Sequence, residues 1–134
     1  MPDASLPTHT SPDTVAPPIG AYSHVAIAPP GAQLIALAGQ VGNAPDGSLP
    51  DTPEEQFENA LRNIVRLLES QGATPAHLVK LNSYLVRPMD LAGVAATRKA
   101  ILGDVRPAST LVYVPRLAAE QYLVEIEAWA VKPA

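Results

Sequence analysis

The sequence predicts a single α+β domain in which a mixed sheet carries two helices on one face. Three observations lead there. The chain has 134 residues, enough for one ordinary domain and too few for a second. Two segments repeat apolar residues at helical spacing, and each is opened by a capping residue and closed by a glycine. The remaining apolar segments have strand length, and together they give the order ββαβαββ.

Residues 1–18 hold Pro2, Pro7, Pro12, Pro17 and Pro18 among small polar residues. Repeated prolines lock φ and remove donors, so this stretch reads as an extended, flexible N-terminal arm ahead of a domain spanning 19–134. Residues 22–27 and 34–41 flank Pro29-Pro30-Gly31 and predict a β-hairpin. Residues 43–50 form a loop with a turn at Asp46-Gly47. Thr52 then suits an N-cap, Pro53 the first helical position, and Glu55 a capping box. Phe57, Ala60, Leu61, Ile64, Leu67 and Leu68 mark the buried face of this first helix, and Gly72 stops it. Residues 78–86 read as a strand. Asp90 caps a second helix that runs to Leu102 before Gly103, with Leu91, Val94, Ala95, Ile101 and Leu102 as its apolar stripe. Residues 109–114 and 122–131 are two further strands, and the last alternates best. A sheet covered by helices on one face leaves the other to be buried elsewhere, so self-association is expected.

Composition removes several classes of function. At 47% hydrophobic and 16% charged residues the chain is a folding one, since disordered chains are poorer in apolar side chains. There is no cysteine, which rules out thiol chemistry and fits a cytoplasmic protein. No apolar run reaches the length of a membrane span, and the first residues lack the basic and apolar regions of a signal peptide. A net charge of −4 argues against non-specific binding of nucleic acid, which needs a basic face. His9, His24 and His77 share no ligand spacing, so no metal site is expected. A small metabolite is the partner that remains.

Two features could carry chemistry. Glu125 and Glu127 share one face of the last strand with Leu123, Trp129 and Val131, while Tyr122, Val124, Ile126, Ala128 and Ala130 share the other. Carboxylates on a face with Trp and aliphatics suit a covered surface or a cleft edge; the alternative is a solvated face. Arg98 falls inside the stripe of the second helix, either reaching a cleft or snorkelling to a subunit contact. Arg106 reads as a plain loop charge.

Ile19-Gly20-Ala21-Tyr22-Ser23, Ala38-Gly39-Gln40, Arg106-Pro107-Ala108-Ser109, Val114-Pro115-Arg116-Leu117 and Glu125-Ile126-Glu127-Ala128 resemble the RidA/YjgF family in order and spacing, over nearly the whole chain after the arm. The resemblance implies a chorismate-mutase-like fold, a homotrimer and three ligand clefts between subunits. It also implies hydrolysis of enamines and imines derived from amino acids, without cofactor or metal. It assigns Tyr22 and Gly39 to the ligand pocket and Glu125 to the attacking water. Ala38 stands where the family has a serine and Ala95 where it has an asparagine. Aligned on Val114-Pro115-Arg116-Leu117, Ser109 occupies the slot of the arginine that grips the substrate carboxylate. Such a charge-assisted pair contributes about 1.5–3 kcal/mol, so its loss alone lowers affinity or turnover at least about tenfold. Two readings follow. In one, the chain binds or transforms a small ligand without efficient deamination of 2-imino acids. In the other, it is a deaminase in which Arg98 or Arg106 supplies the carboxylate contact. Nucleic-acid cleavage, to which some family members have been linked, draws little support from the acidic charge.

Overall fold

The structure is a computed structural model that describes residues 4–133. Its strands and helices are β1 (Thr8–Thr10), β2 (Val25–Ile27), β3 (Gln33–Val41), α1 (Pro53–Ser70), β4 (Leu78–Leu85), α2 (Leu91–Leu102), β5 (Ala108–Tyr113) and β6 (Val124–Lys132). A 3-10 turn at Pro75–His77 precedes β4. The main sheet has the order β3-β6-β4-β5, antiparallel except for the parallel pair β4–β5. This is the mixed α+β architecture the residue pattern predicts.

Helix α1 forms for the expected reasons. The Thr52 hydroxyl accepts the backbone N–H of Glu55 at 3.2 Å and donates to the Glu55 carboxylate at 3.1 Å. That is a variant of the capping box, with the carboxylate bound to the hydroxyl instead of the cap backbone. At the far end Gly72 takes a positive φ of 74°, and Ala73 N–H returns to Leu68 O at 2.9 Å. The buried face of α1 carries Phe57, Leu61, Ile64 and Leu68, which pack with Leu81 and Leu85 of β4 and Val124 and Ile126 of β6. Burying each such side chain contributes about 1.5–3 kcal/mol.

Two expectations are corrected. The hairpin between residues 22–27 and 34–41 does not form: β2 pairs with β1, Thr8 opposite Ile27 and Thr10 opposite Val25, while β3 pairs with β6. Between β2 and β3, Pro29 and Pro30 offer no ladder donors, and Gly31 has a φ of 72°. Strand β1 lies inside the stretch read as an arm. There His9 Nε2 donates to Leu78 O at 2.8 Å, and His24 Nε2 donates to Ala16 O at 2.7 Å. Residues 1–3 of that stretch, and residue 134, lie outside the described residues.

The stripe of α2 is the second correction. Leu91 is 65% exposed and Ala95 is exposed, Val94 and Ile101 are only partly buried, and Leu102 alone is fully buried. The helix leans chiefly on α1, so only Leu102 enters the core, with Val94 and Ile101 packed against its margin.

The alternation of β6 decides the two faces of the sheet. Val124, Ile126, Ala128 and Ala130 are buried on the helix side. Glu125, Glu127 and Trp129 are half-buried on the other, beside Tyr84, Asn82 and Lys80 of β4. No helix of the structure is long and apolar enough to cross a membrane.

Candidate functional site

Strands β3 and β6 build the first part of the site. Their register slips between Leu37 and Gln40, so Ala38 and Gly39 form a bulge opposite the Glu125–Ala128 stretch. The Glu125 carboxylate lies directly over Gly39: a Cβ added there would come within 2.9 Å of Glu125 Cδ and overlap its Oε2. Gly39 is therefore glycine because of close approach. The Gln40 side-chain amide donates to Ala38 O at 3.2 Å, bracing the bulge from the following residue. Gln40 belongs to the same Ala38-Gly39-Gln40 run, yet its bracing role was not read from the sequence.

Glu127, two residues on, is engaged through one carboxylate oxygen. Tyr84 OH donates to Glu127 Oε1 at 2.7 Å, and Asn82 Nδ2 donates to the same oxygen at 3.1 Å. The two glutamates, equivalent by strand period, are thus separated by their partners: Glu127 is a structural acceptor, and Glu125 rests against bare backbone. The phenol of Tyr84 is pushed above its ordinary value of 10.0, first by the hydrogen bond to Glu127, then by burial and the charges of Glu127 and Glu125. The neutral phenol is the form that donates, so its contribution is complete below the unfolded tyrosine value of about 10 and is lost as pH rises through the higher folded value. Thermal melts from pH 9 to 11.5 should therefore show the wild type losing stability more steeply than Tyr84→Phe; parallel curves would remove this role.

The second part of the site gathers at β5. Ser109 pairs with Leu81 at the sheet edge and is half-buried. The segment carrying Tyr22 is fastened alongside: Ser23 N–H donates to Pro107 O at 3.2 Å, and Ser23 bridges Ala108 in parallel. Tyr22 OH accepts the Ile19 N–H at 3.3 Å, and its ring meets His24 edge-on at 5.8 Å. Arg98 and Arg106 line a cavity of about 60 Å³ with Ala21 and Ala95. Arg98 Nη2 is buried and has no hydrogen-bond partner among the described residues. Burial lowers the basicity of that guanidinium, and the charge of Arg106 adds to the effect.

The expected site residues thus fall into two groups, Ala38, Gly39 and Glu125 in one, and Tyr22, Ser109, Arg98 and Arg106 in the other. The first group sits on β3 and β6, the second around β5, and β3 and β5 are the opposite edges of the sheet. Three strand spacings separate those edges, about 14 Å. Among the described residues no three His, Asp or Glu side chains cluster as metal ligands. His77 is instead a local acceptor, taking the Thr74 N–H on Nδ1 at 3.0 Å.

Known proteins resemble the chain over nearly all of its length. The sequence profile of the family described as Endoribonuclease L-PSP matches residues 13–132. A RutC family protein of Pyrococcus abyssi is 32% identical over 117 residues, covering 86% of this chain and 89% of that protein. A second, from Pyrococcus horikoshii, is 31% identical over 121 residues, covering 86% and 90%. Among solved structures, the Rid family protein YyfB of Yersinia pestis superposes with a TM-score of 0.84 at 30% identity, covering 93% of this chain and 98% of its own. RidA of an Antarctic Psychrobacter species gives 0.68 at 26% identity, covering 92% and 98%. The chain is a member of the RidA/YjgF family.

Proposed function

We propose that the chain works as a homotrimer that binds a small metabolite in clefts between subunits, without efficient hydrolysis of 2-imino acids. The observation that carries this reading is the division of the site between the two edges of one sheet. A contact that sets the β3 edge of one copy against the β5 edge of the next is head-to-tail, and such contacts make a ring when the rotation between copies closes. A ring would bring the Gly39–Glu125 bulge of one subunit to the Tyr22–Ser109 edge of its neighbour. It would also cover part of the exposed apolar edge formed by Leu111, Val112 and Tyr113. The family description names an endoribonuclease, but the net charge of −4 favours a small ligand over a polyanion.

Within that cleft Glu125 is the group able to order a water or take a proton, with its carboxylate seated over the bulge. Ser109 offers a hydroxyl where a guanidinium would grip a carboxylate. The test is one preparation carried through two measurements. Light scattering at micromolar concentration should give a trimer. Imines of 2-amino acids generated in situ by a dehydratase should be hydrolysed at least about tenfold more slowly than by Ser109→Arg, which restores a charge-assisted pair. A monomer would remove the shared cleft. Equal rates in wild type and variant, with the trimer intact, would mean that Ser109 does not limit the chemistry.

A further inference from the structure

The pocket between α2 and the turn before β5 is unlike the rest of the surface. Arg98 from the middle of α2, Arg106 from the turn and Lys99 line it against a single acid, Asp104. Like charges this close repel, and one guanidinium nitrogen of Arg98 is buried without an acceptor among the described residues. A buried donor left unmade costs about 1–3 kcal/mol, and more when it is charged. An acceptor supplied from outside the chain would relieve that cost.

The local acceptors are otherwise engaged. Asp104 lies on the cavity rim but pairs with Lys99 at 3.5 Å, and both side chains are largely exposed. The Lys99 carbonyl, at the end of α2, accepts the Gly103 N–H at 2.9 Å. Ala21, Ala95, Gly103 and Val105 make up the uncharged part of the wall. The volume of about 60 Å³ matches about two water molecules' share of liquid. That is room for one oxyanion group, not for a whole metabolite.

We propose that this cavity binds the carboxylate group of a small metabolite, gripped by Arg98 and Arg106. Two oxygens meet two guanidinium groups, the buried Nη2 gains its acceptor, and the repulsion between the arginines is neutralised. The rest of the ligand extends past Ala21 toward Tyr22, which is the next residue. Ser109 does not line this cavity, so the contact is separate from the slot at which a guanidinium would hold a 2-imino acid for hydrolysis. This holds whatever reaction the intersubunit cleft performs, and it requires no particular assembly state.

The test follows the arginine side-chain Nε–H resonances by NMR during titration at constant ionic strength with acetate, inorganic phosphate and acetamide. Acetate should shift the Arg98 signal to saturation, and neutral acetamide should leave it unmoved. Arg106→Gln should weaken acetate at least tenfold, and Arg98→Lys should retain a weaker site. Arg98→Met should remove binding; if that variant fails to fold, Arg98→Lys and Arg106→Gln still decide. Tighter binding of phosphate than of acetate would overturn the carboxylate assignment. So would the absence of a saturable shift with acetate, or acetate affinity unchanged in Arg106→Gln and Arg98→Lys. A monomer in light scattering would overturn the trimer and leave this titration intact, so the two proposals fail separately.

Discussion

Gln56→Ala should lower the unfolding free energy by about 3–5 kcal/mol, one of the largest effects of any single side chain in this protein. Gln56 sits in the first turns of α1 and is 1% exposed. Its amide nitrogen donates to Pro50 O at 2.9 Å and to Gln121 O at 3.0 Å, and its oxygen accepts the Leu123 N–H at 2.8 Å. Truncation leaves two carbonyls and one N–H without partners, each costing about 1–3 kcal/mol if water does not reach it. The same three bonds tie the loop before α1 to the entry of β6, so Gln56 also helps set where β6 begins and where Glu125 lies. Chemical denaturation at fixed protein concentration measures the effect. A loss below about 1 kcal/mol would mean that water replaces the amide, which its burial argues against.

Gln56 also shows what the sequence made legible and what it hid. Its spacing to Ala60, Ile64 and Leu68 is the i, i+4 rhythm of the buried face, a signal that a pattern of apolar residues alone passes over. Its partners could not be read, because they are backbone groups of two distant loops. Helix α1 was legible from Thr52 to Gly72 because its signals are local. So were the two faces of β6, where Val124, Ile126, Ala128 and Ala130 are all buried. The β2–β3 pairing was misread because a turn signal at Pro29-Pro30-Gly31 says that the chain bends, not which strand accepts it afterwards. The stripe of α2 was misread because helical spacing identifies a face without saying how much core lies in front of it. The choice between Glu125 and Glu127 lay beyond strand period. Cross-strand chemistry distinguishes their surroundings, with Tyr84 and Asn82 on one glutamate and the Gly39 bulge under the other. A glycine inside a strand does signal a bulge, so Gly39 carried part of that information.

Gly39→Ala should leave the protein folded and remove the function of the bulge. The contrast with Gly42 explains why. A Cβ at Gly42 would press on the backbone of α1, 2.6 Å from Gln56 O, and a helix backbone has nowhere to go. At Gly39 the obstructing atoms belong to the Glu125 side chain, which can rotate away. Nor is the backbone conformation an obstacle, since Gly39 is not among the glycines with positive φ. The stability loss should therefore stay within about 1 kcal/mol, while the carboxylate moves by a rotamer step from the position the bulge gives it. A displacement of about 1 Å at a reacting group is enough for about a hundredfold loss of rate. Added to Ser109→Arg, Gly39→Ala should cut the imine hydrolysis of that variant at least about a hundredfold. In the wild-type background the side-chain carboxyl ¹³C resonance of Glu125 should shift while that of Glu127, held by Tyr84 and Asn82, stays in place. An unmoved Glu125 resonance with unchanged hydrolysis would show that the close approach has no part in positioning the carboxylate. A protein that unfolds would show that the bulge serves the fold before it serves the site.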